Sequence, residues 1–338
     1  MTGAGLGKVA VFGAGSWGTA FSVVLADAGN EVTMWARREE LAAAITERHE
    51  NPDYHPGVRL AETITATHDV EEAVAGADVV VFATPSQTLR DNLLDWAPYL
   101  PEGAPLVSLM KGVELGSLER MSEVIAHVTG AGPDRIAVVS GPNLSPEIVR
   151  REPAAGVVAC ADEEVAKTLQ ARMHSAAFRP YTSTDVIGCE LGGAYKNVVA
   201  IAVGMAAGRG FGDNSRASVI TRGLAETARL AMKLGANPIT LMGLAGLGDL
   251  VATCSSPLSR NRTFGERLGQ GQSTEEIVGS SHQVAEGAKS CRPLRELAAR
   301  NGVDAPLAEY VDAVVAGKMT VSEVLDSMLE RPTKAETE

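Results

Sequence analysis

The chain of 338 residues is poor in several features that would fix its class at once. Four cysteines, Cys160, Cys189, Cys254 and Cys291, are scattered with no CxxC pair. That excludes a disulfide framework or a zinc knuckle and suits a reducing compartment. The six histidines include no HxxxH pair, so no dedicated metal site is expected. Basic residues are in deficit, 30 Lys+Arg against 42 Asp+Glu, for a net charge of −12. A nucleic-acid partner, which needs a basic footprint, is therefore not expected. A small anion remains possible, because a few local cations can dominate a pocket. No basic segment followed by an apolar stretch opens the chain. The longest apolar run, Val198 to Ala207, is about half of what a membrane span requires. The expectation is a cytoplasmic protein without a membrane span.

What is present is ordinary globular material, 45% hydrophobic and 21% charged, enough for about two domains at about 150 residues each. In the first half, short β-branched runs alternate with helical stretches. Strands are expected at Lys8–Phe12, Glu31–Trp35, Asp78–Ala83, Pro105–Leu109 and Ile136–Ser140, with helices from Ser16 and Arg38. Such alternation implies a parallel sheet covered by helices on both faces. From Glu190 onward strand signals nearly vanish, and small apolar residues recur at helical spacing. The expected fold is α/β: an N-terminal Rossmann-type dinucleotide-binding domain over residues 1–189 and an all-α substrate-binding domain over 190–338.

The first chemical constellation is GAGSWG, in which Gly13, Gly15 and Gly18 follow the first strand and open a helix. The first glycine permits a tight turn, the second lets backbone approach a pyrophosphate, and the third allows close helix–strand packing. The helix N-terminus then presents free N–H groups to phosphate. At the end of the second strand, where an NAD-selective site places an acid, the chain reads Ala36-Arg37-Arg38. A 2′-phosphate suits two guanidiniums, so NADPH/NADP is favoured, with NADH/NAD still open.

The second constellation is Lys196 inside GCELGGAYKNVVAIAVGMAAG. A buried ammonium is costly unless paired or functional. Desolvation shifts a lysine toward neutrality, which suits proton exchange with a hydroxyl; the bland alternatives are a snorkelling side chain or an ion pair with Glu190. Asp249, after Gly246 and Gly248, could cap a helix or support that lysine. Ser259-Arg260-Asn261 combines groups suited to phosphate oxygens but is equally a polar loop. Lys111 and Gly141-Pro142-Asn143 stand just past strand ends, where ligands bind in open α/β sheets. Glu286 is either a cofactor contact or a surface helix residue.

Together GAGSWGTA, the MKG after Leu109, ELGGAYKNVVAIAVGMAAGRGFGDN, GLAGLGDLVATCSS and SRNR resemble the bacterial NAD(P)-dependent glycerol-3-phosphate dehydrogenase family, over residues 7 to about 330. The resemblance implies reversible reduction of dihydroxyacetone phosphate to sn-glycerol 3-phosphate, feeding glycerophospholipid synthesis. It implies Ser16, Trp17, Arg37, Arg38, Lys111, Ser145, Arg260, Val284 and Glu286 as cofactor contacts. Lys111, Gly141, Asn143, Lys196, Asp249, Ser259, Arg260 and Asn261 become the substrate set, with Lys196 as proton acceptor. Asn143 and Ser145 depart from the family's usual Ser or Thr and Ala at those positions. Two rivals are a β-hydroxyacid-type dehydrogenase and a noncatalytic NADPH-binding sensor. The first often carries GxxxKxxxN, which fits Gly192 and Lys196 but fails at Ala200. A homodimer is the default assembly.

Overall fold

The computed structural model describes residues 7–280, 286–330, 332, 333 and 335. Among them, strands β1 (Lys8–Phe12), β2 (Glu31–Trp35), β3 (Ile64–Thr67), β4 (Val79–Phe82), β5 (Leu106–Ser108), β6 (Ile136–Ser140), β7 (Ala154–Cys160) and β8 (Phe178–Ser183) form one sheet. Their order is β3-β2-β1-β4-β5-β6-β7-β8. The first six are parallel. Chain direction therefore reverses its walk between β1 and β4, the switch point at which such sheets bind ligands.

The apolar runs of β1 and β4 are buried on both faces, as parallel strands require. Val9, Val11, Val79 and Val81 enter one core layer, and Ala10, Phe12, Val80 and Phe82 the other. Aromatics are few, yet two of the three tryptophans meet two phenylalanines here. Phe12 and Trp96 have ring centroids 4.4 Å apart, and Trp35 and Trp96 5.0 Å. This cluster stiffens the carboxyl ends of β1, β2 and β4, from which the functional loops depart.

The sheet is not wholly parallel. β7 pairs antiparallel with β6, and β8 then runs parallel to β7. Small residues in AAGVVAC and a proline in FRPYTS blur the period-2 signal, so these strands and the short β3 escape sequence patterning. Pro180 is tolerated because β8 is an edge strand.

After β8 the chain is helical. The helix Val186–Gly208 is buried along nearly its whole length and passes through the centre of the second core. The expected division after residue 189 falls inside it. By length and composition this one helix could cross a bilayer, but 89% of its most apolar window is buried inside the protein. It meets the helix Arg260–Gly269 at very close range: a Cβ on Gly204 would lie 2.1 Å from the Arg262 carbonyl oxygen, and one on Gly265 2.0 Å from that of Ile201. Glycine at both crossings lets the backbones touch, which fixes the loop carrying Ser259 and Arg260 against the helix that carries Lys196. The helical stretch that begins at Pro238 is broken into three: Pro238–Met242, a π turn over Leu244–Gly248, then Asp249–Ser255. Such π turns recur at functional sites. This one sets Asp249 at a helix start facing the sheet.

Candidate active site

Two sets of residues converge outside the carboxyl ends of the strands. The first is the glycine turn after β1. Gly13 has φ +120°, and a Cβ there would meet the Ala83 carbonyl oxygen at 2.7 Å. A Cβ on Gly18 would lie 1.9 Å from the Gly13 oxygen, whereas one on Gly15 would meet nothing within 4 Å. The turn is thus closed on the protein side and open on the outer side. The helix Ser16–Asp27 begins there with no side-chain cap and no acid in its first turn, leaving backbone N–H groups for an anion. These residues fit a dinucleotide. Ser16 Oγ is 2.6 Å from Ser145 Oγ, so the unexpected serine holds the turn from the far side. Trp17 packs on Phe21, centroids 5.6 Å apart. Arg37 is exposed, and Arg38 pairs with Asp53.

The second set centres on Asp249, whose side chain is 1% exposed. Its Oδ1 accepts from Lys196 Nζ at 2.7 Å, and its Oδ2 from Lys111 Nζ at 2.5 Å. The carboxylate does not cap its helix; it bridges two buried ammoniums. Lys196 also donates to Thr253 Oγ1 at 2.8 Å. Lys111 also donates to Asn143 Oδ1 at 2.9 Å and to the Gly141 oxygen at 3.1 Å. Burial pushes the Lys111 ammonium down to about 8, against the pull of Asp249 and with the Lys196 charge adding to the lowering. Glu190 is not the partner of Lys196: it accepts from Arg120 and from Ser122 N at 2.8 Å.

Gly193 explains how the lysines come together. A Cβ there would stand 2.9 Å from Ser140 Oγ and 3.3 Å from Lys111 Cγ, so only a bare helix face admits the Lys111 stem one turn before Lys196. Below Lys196, Asn197 Oδ1 accepts from Asn261 Nδ2 at 2.9 Å, and Asn261 Oδ1 accepts from Gly287 N at 2.8 Å. That chain of amides draws the helix start at Glu286 to the site. Burial raises the Glu286 carboxyl, opposed by the charges of Arg260, Lys196 and Lys111. Ser259 behaves as a helix cap, its Oγ accepting from Arg262 N at 3.2 Å. Val284 lies outside the described residues. Among those described, no group of three His, Cys, Asp or Glu could hold a metal.

The chain matches the family model described as NAD-dependent glycerol-3-phosphate dehydrogenase N-terminus over residues 8–166, and its C-terminal counterpart over 185–326. The chain belongs to that glycerol-3-phosphate dehydrogenase family. It is 60% identical to the glycerol-3-phosphate dehydrogenase [NAD(P)+] of Streptomyces griseus, with 97% of this chain and 98% of that protein aligned. With the enzyme of the same name from Thermobifida fusca it shares 58% identity, over 97% and 98% of the two chains. The crystal structure of glycerol-3-phosphate dehydrogenase from Coxiella burnetii superposes with a TM-score of 0.91 at 34% identity, covering 96% of this chain and 99% of that one. D-mandelate dehydrogenase, at 14% identity and a TM-score of 0.59, shares the fold alone.

Three further residues bear on the site without having been singled out from sequence. Thr253 stands one helical turn after Asp249 and so shares its face, a signal that could have been read. Asn51 and His55 could not, because nothing local marks them. Asn51 Nδ2 donates to the Ala14 oxygen at 3.0 Å and to Thr19 Oγ1 at 2.7 Å. His55 Nε2 donates to the Ser16 oxygen at 2.8 Å.

Proposed function

We infer that the chain is an NAD(P)-dependent sn-glycerol-3-phosphate dehydrogenase, reducing dihydroxyacetone phosphate reversibly to sn-glycerol 3-phosphate. The observation that carries this reading is the pair of buried lysines sharing Asp249 just beyond β5 and β6, next to an open dinucleotide turn. When bound, the nicotinamide cofactor supplies or accepts the hydride at substrate C2. Gly13, Gly15, Gly18 and the uncapped helix start at Ser16 would hold its pyrophosphate, with Trp17, Arg37, Arg38, Ser145 and Glu286 around it and Arg260 near both ligands.

Lys196 donates a proton to the forming C2 alkoxide in reduction and removes the hydroxyl proton in oxidation. Asp249 Oδ1 and Thr253 Oγ1 hold its Nζ from behind. Two cations facing one carboxylate leave a local excess of positive charge, suited to a phosphate monoester. Lys111, anchored by Asp249, Gly141 and Asn143, places one of those cations. Asn143 spends its carbonyl oxygen on Lys111 and keeps its amide for the substrate. Holding the triose in this cage supplies rate through orientation. A supply of glycerol phosphate for membrane lipid synthesis, a cytoplasmic location and a homodimer complete the reading. Exposed Ile239 and Met242, 71% and 73% accessible, give apolar surface for a second copy.

The test is oxidation of NADPH or NADH that depends on dihydroxyacetone phosphate, run beside unphosphorylated 2-oxo acids. Turnover with the phosphorylated ketone supports the reading; turnover only with the oxo acids points to the β-hydroxyacid type. Cofactor binding without any turnover leaves a sensor.

A further inference from the structure

The sequence places no acid at the end of β2, where a carboxylate would accept from the ribose hydroxyls of NADH. The fold delivers one from elsewhere. Residues His49–Leu60 form a loop closed on itself by the Glu50–Arg59 bridge and by Leu60 N donating to the His49 oxygen at 2.8 Å. Gly57 N donates to Glu50 Oε1 at 2.8 Å and tightens it further.

Two side chains of this loop grip the glycine turn. Asn51, wholly buried, binds the Ala14 oxygen, and His55, 5% exposed, binds the Ser16 oxygen. The loop is thereby registered on the dinucleotide turn itself. Between these anchors stands Asp53, paired with Arg38, with side chains 40% and 55% exposed respectively. Among the described residues Arg37 makes no ion pair, so of the two guanidiniums beyond β2 one is already engaged by an acid. This deepens the cofactor reading above and rests on it.

We propose that Asp53 is a specificity-determining residue that holds the enzyme at dual NADPH and NADH use. Its carboxylate competes with a 2′-phosphate for the Arg38 guanidinium and adds a negative charge beside the ribose pocket. A 2′-hydroxyl meets neither obstacle. The relatives named for NAD(P)+ share this breadth. Because the pair is exposed, the competition is modest. An exposed ion pair contributes little in water, and removing its acid frees the guanidinium at small cost.

The experiment measures kcat/KM for NADPH and for NADH at saturating dihydroxyacetone phosphate in the wild type, Asp53→Asn, Arg38→Gln and the double variant. For Asp53→Asn the NADPH/NADH ratio should rise about threefold to tenfold. The change should come through a lower KM for NADPH, with the KM for dihydroxyacetone phosphate and Tm unchanged. In the Arg38→Gln background the same substitution should change the ratio by less than about twofold, as expected if the two residues act as one unit. An unchanged or lower ratio in the single variant overturns the proposal, as does an equal gain without Arg38. Direct titration of both reduced cofactors by fluorescence reads the same shift without turnover. A failed enzyme assay with a shifted binding ratio would sink the reaction but keep Asp53; the converse would sink Asp53 alone.

Discussion

Replacing Lys196 with methionine separates chemistry from architecture in this site. Lys196 is 7% exposed, so methionine, similar in length, fills its channel. The usual hazard of removing one partner of a buried ion pair is an orphaned charge, at about 3–5 kcal/mol. Here that hazard is absent, because Asp249 keeps Lys111 at 2.5 Å. The Thr253 hydroxyl keeps Asp249 Oδ1 at 3.3 Å. Losing the Lys196 charge relieves one of the influences that lower Lys111, which favours a charged Lys111, but it also removes one of the two cations that give the site its positive excess. General acid–base catalysis contributes about 10²–10⁴-fold, equivalent to about 2.7–5.5 kcal/mol of barrier. Lys196→Met should therefore lower kcat by about that factor, with KM for dihydroxyacetone phosphate raised by the loss of one cation, cofactor Kd unchanged and Tm within about 3 °C. Steady-state oxidation of NADPH, cofactor fluorescence titration and thermal unfolding check each part. A kcat within about threefold of wild type, in protein that binds cofactor normally, would remove Lys196 from its role.

Other perturbations follow from the same geometry. Asp249→Ala leaves two buried ammoniums without their shared acid and should destabilise the fold by about 3–5 kcal/mol, measured by urea unfolding. Lys111, held near 8 when folded against 10.5 ordinarily, should make KM for dihydroxyacetone phosphate climb above about pH 8, by up to about tenfold per pH unit; a flat KM to pH 9.5 would contradict its role. The sign for folding is opposite: the unfolded chain binds more protons at Lys111 between those values, so this residue's contribution to stability rises with pH there. Gly193→Ala pushes a methyl toward Ser140 and Lys111 and should cut kcat/KM for the triose about tenfold or more, by overpacking of about 1–3 kcal/mol. Tyr195→Phe removes the hydroxyl that donates to buried Glu226, which also accepts from Leu307 N at 2.9 Å and Ala308 N at 3.0 Å. It should lower stability by about 1.5–3 kcal/mol while leaving kcat near wild type, because that hydroxyl faces the helix Pro306–Val315 and not the lysine cluster.

Local chemistry carried much of this protein into view. The glycine turn needs only neighbouring residues: a strand, three glycines and a helix start. The strands β4, β5 and β6, and β1 after Lys8, announce themselves through apolar runs, because burial on both faces disfavours polar interruption, and β2 through β-branched and aromatic residues in alternation. A lysine amid small apolar residues is conspicuous for the same reason. Where the determinants are distant in the chain, sequence loses the thread. The reversal at β7 depends on pairing with β6 across the sheet, and the residues of β7 and β8 satisfy no clean period. Asp249 reads as a helix cap until the π turn swings it between Lys111 and Lys196, 138 and 53 residues away. Ser145, an apparent departure from pattern, finds its partner in Ser16 only after the first and sixth strands lie in one sheet. Asp53 and its anchors Asn51 and His55 carry no periodicity at all. Backbone conformation and burial pattern are short-range consequences of residue type and can be read along the chain. Which charges meet is decided by packing, and packing exists only once the chain has folded back on itself.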